Sequence, residues 1–425
     1  LMLAAGQIIP LTIEKPAAGG RMIARADGQV VLVSGAIPGE QVMTRIERIG
    51  RGVAYGVVHA IDVASSDRRA VAVDPLCGGC AYVHIAYPRQ LELKALVIHD
   101  ALTRIGRLDP PAPISVAASP EQGYRMRARL HIRESRVGFF REGTHEVCDA
   151  RATRQLRDDT SDAIDRLIAG LRSLGMAGIR ELEVSENVDA SERVVHLEGT
   201  TTIAPRALSS LGLSDGLTGL TVSTPQGHGR VAVVKGSPHV VDALDVGETS
   251  IRLRRHVLAF FQGNRYLLPS LVSHVVSQVG PDDRVIDLYA GTGLFSVAAA
   301  AARGAHVIAV EGDPSGATDL AFNAEPLKDR LRAIHQSVET FVEQRQERPT
   351  VLIVDPPRTG MTREALAGAI ALRAQTVVYV SCDVATLARD SRVMLDAGYS
   401  LDRVTGFDLF PNTPHVETVA SFSLR

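Results

Sequence analysis

The sequence predicts an α/β protein in three parts: a small N-terminal β-barrel, a mixed α+β centre, and a C-terminal doubly wound parallel sheet. Three observations carry this reading. Residues 1–62 hold short alternating runs rich in Val, Ile and Gly. Residues 63–250 open with a helical stretch and from 137 mix strand patterns with one clear helix, and from about residue 251 short apolar strands alternate with helical stretches. A chain of 425 residues suits two or three domains, and 45% hydrophobic with 22% charged residues is ample for a core. An apolar run of about 18 residues is absent, so no membrane span is expected. Four cysteines and no secretory leader pattern point to reduced cytoplasm. Net charge is −2, so any nucleic-acid surface is local. A monomer is expected.

The elements follow in order. Runs at 7–11, 29–33, 40–46 and 53–61 are strand candidates, separated by Gly19-Gly20, Asp27-Gly28 and Pro38-Gly39 turn signals. Closure into a barrel would remove their exposed edges. Cys77-Gly-Gly-Cys80 comes next, then a helical pattern over 87–105 and a proline-rich break from Asp109 to Pro113. Arg125, Arg127, Arg129 and Arg133 alternate with Met126, Ala128, Leu130 and Ile132. In a strand, guanidinium groups on one face recur about every 7 Å, near the phosphate repeat of a nucleic-acid strand. A solvated face with structural ion pairs would look the same. A helix is expected over 158–174, and strands over 284–288, 307–310, 351–354 and 376–380.

Strand 285–288 runs into Asp287-Leu-Tyr-Ala-Gly-Thr-Gly-Leu-Phe-Ser296 and then a helix-forming run. Its glycines let backbone approach a ligand ahead of a helix N-terminus. Glu311 follows Gly291 by 20 residues, the spacing at which a carboxylate meets ribose hydroxyls. A nicotinamide cofactor would fit this much. However, Ser296 stands at the third fingerprint position, and Asp287 lies within the motif, as in S-adenosylmethionine enzymes. Strand 351–354 exits into Asp355-Pro-Pro-Arg358, a rigid turn whose carbonyls are free to accept bonds from a base.

Cys382 ends strand 376–380, where open α/β sheets keep their ligands. A buried free cysteine is the common alternative. Glu417 opens the final strand among apolar residues, which would raise its pKa and suit it to taking a proton. Together with a methyl donor these groups fit one reaction. A thiolate adds to carbon 6 of uracil, carbon 5 becomes nucleophilic, and a base later removes the carbon-5 proton. The reaction needs a thiol of lowered pKa, an effect expected from the N-terminus of the following helix.

Phe260-Phe-Gln-Gly-Asn, Asp287-Leu-Tyr-Ala-Gly-Thr-Gly, Asp355-Pro-Pro-Arg, Ser381-Cys-Asp-Val-Ala-Thr-Leu-Ala-Arg-Asp and Pro414-His-Val-Glu stand in the order seen in RNA uracil-C5 methyltransferases. The chain resembles that family nearly end to end, and residues 1–62 resemble its TRAM barrel, an RNA-binding module. The resemblance implies a Rossmann-like methyltransferase domain over 251–425 and a central unit over 63–250. It implies Cys382 as nucleophile and Glu417 as base. Gln262, Tyr289, Gly291, Gly293, Leu294, Glu311 and Asp355 would hold S-adenosyl-L-methionine or place the uracil. Leu294 departs from the asparagine of many relatives, so its contact would be through backbone. The segment holding Arg125 and Arg127 would touch substrate RNA, ribosomal or transfer, and the target uracil would be flipped out to reach the thiol. An RNA-binding protein with a degenerate methyltransferase domain is the alternative.

Cys77, Cys80 and Cys148 resemble three of the four cysteines that hold a [4Fe–4S] cluster in many family members. The fourth position is Val71, whereas a cluster takes four thiolates. Three readings stay open: a cluster with a non-cysteine ligand, a zinc site completed by His84 or His145, or free thiols.

Overall fold

A computed structural model describes residues 3–134, 136–176, 178–199, 205–213, 216–223, 231–344 and 347–425. The N-terminal sheet runs in the order Ile8–Thr12, Gln41–Ile49, Val53–Val63, Gln29–Ser34, Met22–Ala26, Lys15–Pro16. Its first and last strands are successive pieces of one segment, joined where Ile13 N bonds Glu40 O and Glu14 N bonds Ile23 O. The sheet therefore closes on itself, as the turn signals predicted. Leu11, Ile13, Met22, Val31, Val33, Val42 and Ile46 fill the interior.

The central sheet has seven strands in the order Val147–Asp149, Arg136–Phe140, Arg127–Arg133, Ile179–Glu186, Arg193–Gly199, Gly219–Ser223, Val231–Gly236. Helix Asp158–Ser173 covers one face, burying Ala163, Ile164, Leu167, Ile168 and Leu171 against Leu130, Leu182, Val184 and Val195. These apolar positions recur at helical spacing, which explains why this helix was visible in sequence.

The C-terminal sheet has eight strands in the order Leu331–His335, His306–Glu311, Arg284–Leu288, Val351–Val354, Thr376–Ser381, Glu417–Leu424, Tyr399–Phe407, Ser115–Ala117. The first five are parallel, and Glu417–Leu424 is antiparallel to both of its neighbours. Apolar layers cover both faces. The chain order reverses between Arg284–Leu288 and Val351–Val354, which opens a crevice at the carboxyl ends of those strands.

One segment crosses the expected boundaries. Helix Tyr87–Arg104 packs Val97, Ile98, Ala101 and Leu102 into the core under the C-terminal sheet, and Ser115–Ala117 adds that sheet's last strand. The hairpin His239–Val246 and Thr249–His256 likewise buries Leu244, Val246, Ile251 and Leu253 in the other layer. Composition hid this because long-range packing, not local pattern, decides which sheet a short strand joins.

Candidate active site

Three strand ends and one strand start meet at the crevice. Arg284–Leu288 delivers Asp287 and the glycine turn, Val351–Val354 delivers Asp355, and Thr376–Ser381 delivers Cys382. Ser381 lies opposite Thr418 in the antiparallel ladder, so the next pair outward is Cys382 and Glu417. Nucleophile and base candidates are thus neighbours across adjacent strands, although 35 positions separate them in sequence.

The glycine turn is built for close approach. Gly291 and Gly293 take φ of 56° and 95°, and a Cβ on Gly293 would lie 2.8 Å from Leu320 Cδ1. Gly293 caps helix Leu294–Arg303, which starts at the buried Leu294. Tyr289 also sits at positive φ, 64°, holding the backbone where the strand turns into the loop. Glu311 closes the far side: its carboxylate accepts from Gly291 N at 2.7 Å and Asp313 N at 2.6 Å.

This crevice is acidic. Asp287 is fully buried and accepts from Ser296 Oγ at 2.5 Å, while its Oδ1 has no hydrogen-bond partner. Burial pushes its carboxyl up to about 7, with the Ser296 bond opposing and Glu311 adding to the rise. Asp355 rises to about 7 for the same chief reason, helped by Asp287 and opposed by the Gln262 amide, which donates to it at 3.3 Å. The position that departs from the dinucleotide fingerprint, Ser296, therefore has a specific job. An orphaned buried carboxylate oxygen beside two more carboxylates fits a cationic ligand, as a sulfonium amino acid is.

Cys382 is half-buried and precedes helix Val384–Asp396, whose N-cap is Asp383, accepting from Ala385 N at 3.0 Å and Thr386 N at 2.9 Å. The expected lowering of the thiol does not occur. Burial pushes it up to about 11, and Glu417 and Asp355 add to the rise. The cap carboxylate already takes the N–H groups of Ala385 and Thr386, so neither is left for sulfur. The opposing influence is Arg358, whose positive charge pulls the thiol down. Glu417 is 2% exposed, and its Oε1 has no hydrogen-bond partner. Burial first and then Asp355 raise its carboxyl well above the usual range, with Arg358 again opposing. Sequence reasoning placed Arg358 only as the end of a turn. Its charge acts on both groups in the folded chain, although it stands 24 positions before Cys382.

The arginine comb lies on one strand face, with Met126, Ala128, Leu130 and Ile132 buried on the other. Its charges are engaged, however. Arg127 pairs with Glu183, and Arg129 with Glu181 and, at 3.3 Å, Glu198. Arg125 donates to Gln155 Oε1 at 2.7 Å, and Arg133 to the Ile132 carbonyl at 2.8 Å. Arg125 also bridges to Asn264, and Met126 N bonds Gly263 O at 2.9 Å, so the comb begins against the turn that holds Gln262.

The three remaining cysteines do not assemble a metal centre. Cys77 and Cys148 form a disulfide, and Cys80 is a buried thiol pushed up to about 12 by burial. His84 is buried with Nε2 against Ala36 O at 3.3 Å, and His145 stacks edge-on to Phe140. Among the described residues no group of three or more His, Cys, Asp or Glu side chains could hold a metal ion. The donor set thus does not fit a four-thiolate cluster, nor does it form the zinc site, and the free-thiol reading holds only for Cys80. Among the described residues no helix is long and apolar enough to cross a membrane.

Comparison with known proteins agrees with this geometry. Residues 227–423 match the model of the tRNA (uracil-5-)-methyltransferase family, and residues 4–59 match the TRAM domain. The 23S rRNA (uracil(1939)-C(5))-methyltransferase RlmD of Bordetella pertussis is 30% identical over 97% of this chain and 92% of its own length. An uncharacterized RNA methyltransferase of Aquifex aeolicus is 26% identical over 98% of this chain and 99% of its own. In fold, the chain is similar to the Pyrococcus abyssi tRNA (uracil-54, C5)-methyltransferase solved with S-adenosyl-L-homocysteine. The TM-score is 0.76 at 23% identity, covering 97% of this chain and 99% of that one.

Proposed function

This chain belongs to the RNA uracil-C5 methyltransferases, and from that premise we propose that Cys382 and Glu417 methylate carbon 5 of a uridine in ribosomal or transfer RNA through a covalent adduct. The observation that supports it best is the adjacency of Cys382 and Glu417 across one ladder at the mouth of the acidic crevice. S-adenosylmethionine, when bound, supplies an electrophilic methyl group. Asp287, Glu311, Asp355, Gln262, Tyr289 and the backbone at Gly291, Gly293 and Leu294 would hold it. A flipped-out uracil enters from the side of the Arg125–Arg133 strand, where the arginines meet phosphate.

Cys382 loses its proton to solvent, and the thiolate sulfur bonds carbon 6 as the carbon 5–carbon 6 double bond opens, leaving negative charge shared between carbon 5 and the adjacent carbonyl oxygen. Arg358, the cation that opposes the rise of the thiol, stabilises the thiolate. Carbon 5 then takes the methyl group. Glu417 removes the carbon-5 proton, the carbon–sulfur bond breaks, and Cys382 leaves as thiolate. A carboxylate with raised basicity is suited to that removal.

The test is incubation with labelled methyl donor and bulk unmodified RNA. Wild type should form 5-methyluridine and Cys382→Ala none; methylation persisting in Cys382→Ala would sink the mechanism. Glu417→Gln should accumulate an enzyme–RNA adduct that survives denaturation, because addition proceeds and release stalls.

A further inference from the structure

The loop 408–416 joins strand Tyr399–Phe407 to strand Glu417–Leu424 and leads directly into Glu417. It is held from three sides. Lys94, on helix Tyr87–Arg104, is fully buried in an ion pair with Asp408 and also donates to Phe410 O at 3.2 Å. Asn264 donates to Leu409 O at 3.1 Å. The barrel turn abuts Pro414, since a Cβ on Gly20 would lie 2.9 Å from Pro414 Cγ.

Asn412 is where these restraints converge. It holds a left-handed backbone, φ 64°, which few residues other than Asn, Asp or Gly adopt cheaply. Its carbonyl accepts from Tyr82 N at 2.8 Å, and its own N–H donates to Gln90 Oε1 at 2.9 Å. Its side-chain Oδ1 accepts from Gln90 Nε2 at 2.9 Å and from Arg69 Nη2 at 2.7 Å. All these partners lie between residues 69 and 90, on either side of the Cys77-Gly-Gly-Cys80 turn. Onward from Asn412, Thr413 Oγ1 donates to Phe410 O at 2.7 Å and accepts from His415 N at 3.2 Å. The chain between Asn412 and the buried Glu417 is therefore fixed at both ends.

We infer that Asn412 is a positioning residue for Glu417: its side-chain amide, clamped by Gln90 and Arg69, sets the loop that aims the carboxylate at the carbon-5 proton. The inference rests on the reading of Glu417 as the base. The paired-cysteine segment then has a role without a metal, as the outer half of this clamp. Proton removal is sensitive to placement on the scale of an ångström, whereas thiol addition, set by the neighbouring strand end, is not affected by this loop.

The test uses the full chain with Asn412→Gly, which removes the amide yet keeps a residue at ease at positive φ, and Asn412→Asp, which keeps an acceptor for Arg69 and Gln90. Asn412→Gly should lose about ten- to a hundredfold in kcat, with KM for RNA and for methyl donor within about twofold of wild type. It should also accumulate the denaturation-resistant adduct seen in Glu417→Gln. Asn412→Asp should restore turnover. If Asn412→Gly fails to bind methyl donor and so to fold, the partly exposed change Arg69→Met should show the same adduct with about a fivefold loss in kcat. An unchanged kcat, or a slower enzyme with no adduct while Glu417→Gln shows one, overturns the inference alone. Absence of adduct in Glu417→Gln overturns the base assignment and this inference together.

Discussion

Removing the Arg358 guanidinium should make Cys382 less reactive, because it opposes the burial that pushes the thiol up to about 11. The sign follows from the charge: without the cation the thiolate is less stable, the pKa rises, and less thiolate exists at any pH below it. Alkylation of Cys382 by iodoacetamide, followed by peptide mass spectrometry, should accelerate as pH rises from 7 towards 11 in wild type. In Arg358→Gln the same curve should move to higher pH; an unmoved curve would remove Arg358 from the mechanism. The carboxylates give a second pH dependence. Burial in the crevice pushes both Asp287 and Asp355 up to about 7. A cation there favours their ionised forms, so binding S-adenosylmethionine should release protons. Affinity should fall as pH drops through 7, measured by calorimetry in buffers of different ionisation enthalpy, and Asp355→Asn should flatten the dependence. Cys382 and Glu417 were legible in the sequence because each interrupts an apolar strand end with a reactive group. The electrostatics around them were not, since Arg358, Asp355 and Glu417 act on Cys382 only when the fold brings distant segments together.

Helix Val384–Asp396 shows what one cap residue does for an element. Asp383 satisfies two orphan N–H groups and fixes the segment that immediately follows the nucleophile. Asp383→Ala should cost about 1 kcal/mol in denaturant unfolding, with the midpoint shifted and the slope unchanged. The second staple at this scale is covalent. Cys77 and Cys148 join the linker after the barrel to the edge strand Val147–Asp149. Thiol titration of protein denatured without reductant should find the two free thiols of Cys80 and Cys382, and four after reduction. Four thiols without reductant, or iron in the preparation, would contradict the pairing. Elements with strong periodicity, such as helix Asp158–Ser173 and the strands carrying Asp287, Asp355 and Cys382, were visible in the sequence because one face or both are buried. The strands Leu331–His335 and Ser115–Ala117 at the sheet's two edges were not, because they are only partly buried and so lack a continuous apolar run, and pairing partners decide them. Val71 removed one cluster ligand on sequence grounds, but which cysteines meet is a tertiary fact.

Across the whole molecule, a net charge of −2 must be reconciled with an RNA substrate, and the answer lies in how the basic strand is neutralised. Arg129 is more than half exposed yet tied to Glu181, at 2.7 Å from its Nε, and to Glu198. Glu181 sits on the strand beside the comb and Glu198 on the next strand beyond, with 42% of its side chain exposed. Exposed pairs of this kind add little to stability, on the order of 0–1 kcal/mol. Their larger effect is on the field seen by a phosphate chain, since two carboxylates cancel much of what the comb offers. If the comb faces RNA as proposed, Glu181→Gln with Glu198→Gln should leave thermal stability nearly unchanged. It should tighten RNA binding and steepen the dependence of log affinity on log salt, because more counterions are displaced when arginines are freed to meet phosphates. Filter binding at several salt concentrations measures both. The gain should be greatest at low salt, where the Debye length is about 30 Å at 0.01 M. Arg129→Gln should act oppositely but more weakly, because in the native protein that guanidinium is already shared. A slope that does not change in the double variant would place the RNA on another face and leave Arg129 as part of a structural ion-pair ladder.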